Sequence, residues 1–144
     1  MSVRFLLDTN VLSELMRAAP APEVLDWFDQ NRKAPMLTSA ISQAEILTGI
    51  ALLPSGKRRT ALDEAAQKMF EQDFAEHICG FDASAAGPYA QIVAARSREG
   101  RPVSTEDAQI AAISVAGGLT LVTRNTKDFQ GITGLRLSNP WDKK

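Results

Sequence analysis

Four places in the chain set oxygen-bearing side chains directly behind apolar runs or at the head of helical patterns. They are Asp8 in FLLDTN, Glu45 in SAISQAEIL, Asp107 in STEDAQIAA, and Asn125 with Asp128 in LVTRNTKDF. Several carboxylates brought to one low-dielectric point repel one another and have their pKa values raised, a conflict that a divalent cation removes. Oxygen-only ligands select hard ions, so Mg²⁺, or Mn²⁺, suits this set better than Zn²⁺. The single His77 and single Cys79 cannot supply a nitrogen and sulfur site. Mg²⁺ keeps several waters and shares its coordination sphere with substrate phosphates, and the chemistry implied is phosphodiester hydrolysis by metal-activated water.

That chemistry requires the four stations to meet, so the elements that carry them matter. Residues 3–7 read as a strand, followed by helices over 10–17 and 22–31, the second opened by Pro22 and Glu23. A short strand over 35–38 leads to a helix from about 40 to 53 that Pro54 ends. Leu62, Ala65, Ala66, Met69, Phe70 and Phe74 recur at helical spacing with charges between them, which predicts a surface-packed amphipathic helix. A short strand over 78–81 precedes a helical region broken or started at Gly87 and Pro88, with Tyr89, Ile92 and Val93 on one face. Residues 105–116 are apolar on nearly every side and predict a buried helix, which Gly117 and Gly118 end; LTLVT over 119–123 reads as an interior strand, and 135–137 as a last short one.

Short apolar strands alternating with helices predict an α/β fold with a parallel sheet covered on both faces. In such a sheet the helices that follow strands start at the carboxyl edge, where ligands bind at the switch in strand order. Carboxylates at those starts therefore converge although the sequence separates them widely. The alternative for each is helix capping: the macrodipole favours acids in a first turn, and Ser42 to Glu45, like Ser104 to Asp107, has capping-box spacing. Capping does not require burial, yet Asp107 heads a helix too apolar for the surface and Asp8 ends a strand too apolar for an edge.

Size and charge narrow the classes further. The chain has 144 residues, enough for one domain over 1–144 with a sizeable core. At 44% hydrophobic and 23% charged it has the composition of a folded globular protein. No apolar run approaches a membrane span and no signal-like leader is seen, so no membrane partner and a cytoplasmic location are expected. Sixteen Lys and Arg against seventeen Asp and Glu give a net charge of −1, which excludes a globally basic nucleic-acid coat but leaves room for local phosphate contacts. The run Lys57, Arg58 and Arg59, and Arg124 beside the fourth station, are candidates for such contacts, with Arg96, Arg98 and Arg101 as a looser group. The alternative for each is a solvated surface.

The stretches FLLDTNVLSEL, SAISQAEILTGIALL, TEDAQIAAISVAGGLTLVTRNTKDF and the terminal NPW together resemble the successive motifs of the PIN-domain ribonucleases, in particular the VapC and FitB-like toxins of bacterial toxin-antitoxin pairs. The resemblance implies a three-layer α/β/α sandwich around a central parallel sheet and a homodimer. It also implies Mg²⁺-dependent RNA cleavage and a cognate antitoxin whose C-terminal segment blocks the acidic pocket. On this match Asp8, Glu45 and Asp107 fall on the family's three main acidic positions, and Thr9, Asn10 and Thr123 would support the metal site. Some relatives carry aspartate where this chain has Asn125. We expect Asn125 to face the pocket and Asp128 mainly to support the turn.

Other enzyme classes fit less well. His77 has no nucleophile motif near it, which disfavours a serine or cysteine hydrolase. Neither glycine-rich phosphate motif is present, and DTN lacks the DxD pattern of haloacid-dehalogenase phosphatases. The non-enzymatic alternative is a PIN-like module that binds nucleic acid or protein. Trp27 and Trp141 are expected in the core or at a contact rather than stacked on bases.

Overall fold

The computed structural model describes residues 2–142, so the outermost residues of the expected 1–144 domain lie outside it. Three of the strands are apolar enough to be interior: β1 (Phe5–Leu7), β2 (Met36–Ser39) and β4 (Thr120–Val122). With β3 (Ile78–Cys79) and β5 (Arg136–Ser138) they form one sheet in the order β3-β2-β1-β4-β5. All four pairings are parallel.

Alternation along β1 and β4 sorts the core into two halves. Phe5, Leu7 and Val122 face one side, against Val11 and Leu12 of α1 (Thr9–Leu15), Trp27 of α2 (Pro22–Gln30), Ile46 and Ile50 of α3 (Ala40–Ala51) and Ala66 of α4 (Lys57–Lys68). Leu6 and Leu121 face the other, against Ala85 and Ile92 of α5 (Ala83–Arg98), Ile110 and Ala111 of α6 (Thr105–Gly117) and Phe129 of α7 (Thr126–Phe129). The α/β/α sandwich is therefore as expected. α6 runs under the sheet with Ala108 and Ile110 to Ile113 buried, though Ala116 emerges into solvent, and Gly118 terminates it at φ 64° in the left-handed region that suits glycine.

Several elements depart from the sequence expectation. β1 starts at Phe5, leaving Val3 half-exposed. The helix over 62–74 becomes α4 followed by a π-helical turn, Met69–Asp73, in which the Phe74 amide bonds to the Met69 carbonyl at 3.0 Å. That wider turn brings Met69, Phe70 and Phe74 all into the core. Gly87 and Pro88 neither break nor start α5. Asp82 caps it earlier, its carboxylate accepting from the Ser84 amide at 3.0 Å, and Pro88 sits inside the helix near its N-terminal end. Ile92 is buried as expected, but Val93 is exposed.

Candidate active site

The strand order reverses between β1 and β4, since β2 and β3 lie to one side of β1 while β4 and β5 lie to the other. The residues that leave these two strands at the carboxyl edge are Asp8 and Thr123, both buried. The Asp8 amide extends the ladder to the Val122 carbonyl at 2.9 Å, and the Thr123 hydroxyl donates to Asp8 Oδ2 at 2.8 Å. Asp8 Oδ1 accepts from the Thr9 amide at 2.8 Å, and Asn10 Nδ2 lies 3.4 Å from Oδ2. Asn10 is itself fixed at both ends, donating to Thr123 Oγ1 at 3.2 Å and accepting the Arg124 amide at 3.0 Å. Every donor to the Asp8 carboxylate is neutral.

Glu45 joins through Thr9. The Thr9 hydroxyl donates to Glu45 Oε1 at 2.7 Å and lies 3.0 Å from the buried Ser42 hydroxyl. The capping alternative fails for Glu45, because the cap of α3 is Ser39, whose hydroxyl accepts the Ser42 amide at 3.0 Å. Glu45 then stands in the second turn, beyond the reach of the helix start. Ser39 was missed as the cap, a role the spacing had suggested for Ser42; the signal was the run TSAIS, whose first serine ends the strand and is therefore the natural cap. Asp107 is different: its amide donates to Ser104 Oγ at 3.1 Å, so this station is in the capped first turn.

Electrostatics shows that the stations share one field. Burial pushes the Asp107 carboxyl up to about 6, and the charges of Asp8, Asp128 and Glu45 add to the shift, while the Ser104 hydroxyl opposes it. Burial likewise raises Asp8 above the usual carboxylate range, opposed by Thr123, Thr9 and Asn10 and assisted by Glu45. The two ion pairs among the described residues, Arg17 with Glu14 at 3.1 Å and Arg32 with Asp29 at 3.3 Å, involve none of these acids.

Such a set fits a hard divalent cation: its donors are oxygen, no ion pair among the described residues compensates its charge, and its key carboxylate is buried. No three Asp, Glu, His or Cys side chains among the described residues stand close enough to enclose an ion by themselves. An ion here would take the rest of its coordination from water and substrate phosphate, as Mg²⁺ does.

The fourth station divides. Asn125 caps α7 without a side-chain hydrogen bond, and its amide donates to Thr123 Oγ1 at 3.1 Å. Asp128 was expected to support this turn, but Thr123 already holds the cap amide that its carboxylate would have to reach back to. Asp128 is exposed, and its charge acts on Asp107 instead.

The basic candidates separate by position. Lys57 and Arg58 are exposed at the start of α4, and Arg58 lines a groove of about 890 Å³ that runs to Thr9 and Glu45 along Ile46 and Ile50. Arg59 faces another hollow, beside Asp63 and Glu64. Arg124 is exposed, with its guanidinium 4.9 Å over the Trp141 ring. In the looser group, Arg98 and Arg101 are exposed but Arg96 is buried and cannot be part of a surface patch. The spacing Ala85, Tyr89, Ile92, Arg96 places it on the inward stripe of α5. Trp27 is buried as expected, its Nε1 donating to Ser138 Oγ at 3.1 Å; Trp141 is partly buried against the same core. His77 is exposed, its Nδ1 2.7 Å from the Ala75 carbonyl, and Cys79 is partly buried with its thiol pushed up by burial.

A parallel sheet with an acidic crevice at its switch point, between two helical layers, defines the class, and residues 5–135 match the family model described as PIN domain. The chain belongs to the PIN-domain family. Plasmid stability protein StbB of Pseudomonas syringae pv. tomato is 42% identical over 137 residues, covering 95% of this chain and 98% of that protein. VapC ribonuclease Y4jK of Sinorhizobium fredii is 37% identical over 137 residues, covering 95% and 97%. Toxin FitB of Neisseria gonorrhoeae is 37% identical over 136 residues, covering 94% and 97%. The crystal structure of FitAcB from the same organism superposes with a TM-score of 0.84 at 35% identity, covering 96% of this chain and 99% of that one.

Proposed function

We propose that the chain is a single PIN domain acting as a Mg²⁺-dependent endoribonuclease, the toxin of a toxin-antitoxin pair. The observation that carries the reading is the buried Asp8 carboxylate at the strand switch, ringed by neutral donors and sharing its field with Asp107 and Glu45, with no cation paired to these acids among the described residues. Membership of the PIN family and the ribonuclease and toxin names of its relatives support the same reading.

In this proposal Asp8, Glu45 and Asp107 would hold Mg²⁺ or Mn²⁺, with Asn125 or Asp128 completing the set. When bound, the ion would activate water for attack on phosphorus and offset charge on the phosphate oxygens. The protein's own contribution is orientation. Thr123 and Asn10 fix Oδ2 of Asp8, the Thr9 amide fixes Oδ1, and the Thr9 hydroxyl holds Oε1 of Glu45. Burial pushes the Asp107 carboxyl up to about 6 in the absence of an ion, so ion binding would weaken as pH falls toward that value. Arg58, on the groove that reaches Thr9 and Glu45, and the exposed Arg124 would meet phosphates of the RNA; Lys57 and Arg59 would be secondary.

The partners in the proposal are an RNA substrate, a cognate antitoxin and a second copy of the chain. No helix among the described residues is long and apolar enough to cross a membrane, and a cytoplasmic location belongs to the same proposal. Purified protein should cleave RNA with Mg²⁺ or Mn²⁺ and stop on addition of EDTA. Its expression without an antitoxin should arrest growth, while the Asp8→Asn form should not. Full cleavage in a thoroughly chelated sample would overturn the metal mechanism. Equal harmlessness of both forms at equal soluble levels would favour a binding module.

A further inference from the structure

The turn that carries Asn125 and Asp128 has little to hold it in place by itself. α7 is four residues long and its cap makes no side-chain hydrogen bond, and a single isolated turn of helix is unstable. Phe129 buries its side chain in the core, and a second hold comes from α5. Arg96 is 5% exposed, and its Nη2 donates to the carbonyl oxygens of Asp128 and, at 3.3 Å, Gln130. Its Nη1 donates to the Arg101 carbonyl at 3.2 Å, and the Arg101 amide returns a bond to the Arg96 carbonyl at 2.9 Å. Arg101 lies just ahead of Ser104, the cap of the helix that carries Asp107. One guanidinium therefore ties together the two loops that deliver Asp107 and Asp128.

The connection continues to the centre of the site. The Asp128 amide donates to the Asn125 carbonyl at 3.0 Å, the Asn125 amide to Thr123 Oγ1 at 3.1 Å, and Thr123 Oγ1 to Asp8 Oδ2 at 2.8 Å. We propose that Arg96 is a positioning residue for the acidic site, clamping the loop before α6 to the α7 turn so that Asp107, Asn125 and Asp128 keep a fixed spacing from Asp8.

Stability alone does not account for an arginine here. The position lies on the apolar stripe of α5, and among the described residues no carboxylate neutralises the guanidinium and its buried Nε has no partner. A buried charge satisfied in this partial way is costly, and an apolar residue of similar volume generally serves packing as well or better. What an apolar residue cannot do is reach three carbonyl oxygens on two separate segments from one rigid plane.

The inference rests on the functional reading above, and its test separates the two. Arg96→Lys and Arg96→Met would be compared with Ile92→Ala, a buried neighbour on the same stripe that serves as the control for general loosening. Cleavage would be measured well below every melting temperature, and Mn²⁺ affinity by calorimetry without RNA. Arg96→Lys should lower kcat about tenfold and Arg96→Met on the order of a hundredfold, with KM changed by less than about threefold, as expected for misplaced catalytic groups. Mn²⁺ should bind both variants several-fold more weakly, and Ile92→Ala should match the wild type in kcat and Mn²⁺ affinity. Arg96 variants indistinguishable from Ile92→Ala in both would overturn the clamp. Should neither Arg96 variant fold, hydrogen exchange in the wild type decides. The Asn125 and Asp128 amides should exchange at least about tenfold more slowly than free chain, and exchange at free-chain rates would overturn the proposal. If the wild type cleaves no RNA, the functional reading falls, while the exchange rates still judge the clamp.

Discussion

The Thr123 hydroxyl donates to Asp8 Oδ2 across 2.8 Å, joining residues 115 positions apart at the point where the strand order turns back. The same oxygen receives the Asn10 side chain and the Asn125 amide. Thr123→Val keeps the shape and removes all three bonds. Hydrogen bonds to charged groups contribute about 1.5–3 kcal/mol, so kcat should fall by roughly tenfold or more. Because that hydroxyl favours the ionised Asp8, the acid limb of the rate profile should also move to higher pH. An unchanged profile with unchanged kcat would show that the bond serves folding alone.

Asp107 gives a prediction for the metal-free protein. Its folded pKa of about 6 lies above the ordinary 3.8, so between those values the folded state binds more protons than the unfolded one. Stability in EDTA should therefore fall as pH rises through that window and stay lowered above it. Asp107→Asn should remove the loss. Allowing for solvent screening of a half-buried group, we expect its melting temperature to exceed the wild type's by on the order of 2–4 °C at pH 7.5 and to match it near pH 4. A lower melting temperature at pH 7.5 would assign Asp107 to capping.

Glu45 and Ser39 should behave as opposites. Glu45 is exposed in the second turn of α3 and caps nothing, so Glu45→Gln should abolish most cleavage with little change in melting temperature. Ser39→Ala removes the cap and should cost about 1 kcal/mol of stability while leaving cleavage at permissive temperature close to normal. Urea melts and a single-turnover assay on both variants would decide, and a reversed pattern would sink the assignment.

At the fourth station, a neutral amide binds a hard cation more weakly than a carboxylate, so Asn125→Asp should lower the Mg²⁺ concentration for half-maximal activity. Asp128→Asn should cost less than about tenfold, against on the order of a hundredfold or more for Asp8→Asn. If Asp128→Asn is as inactive as Asp8→Asn while Asn125→Asp is unchanged, Asp128 is the metal-facing residue.

Much of this protein is written locally. The apolar triplets of β1 and β4, the helix over 105–117 and the acids placed just beyond them follow from periodicity and capping chemistry, which act over a few neighbouring residues. Those signals were enough for the α/β class and the parallel sheet, and they picked out the four stations as candidates. They misplaced what depends on distant partners. Gly87 and Pro88 looked like a boundary, but the Asp82 cap and the packing of α5 on α6 carry the helix through them. Arg96 looked like surface charge because composition does not reveal that three carbonyl oxygens wait on its inward face. Asp128 looked like the support of its own turn because the local spacing does not show that Thr123 already holds the Asn125 amide. Which stations touch was decided by the sheet order, with β4 beside β1 setting Asp8 against Thr123, and by α3 packing beside α1 so that Thr9 reaches Glu45. Strand pairing and helix packing are long-range choices made by burial of the whole core, and no short window of sequence contains them.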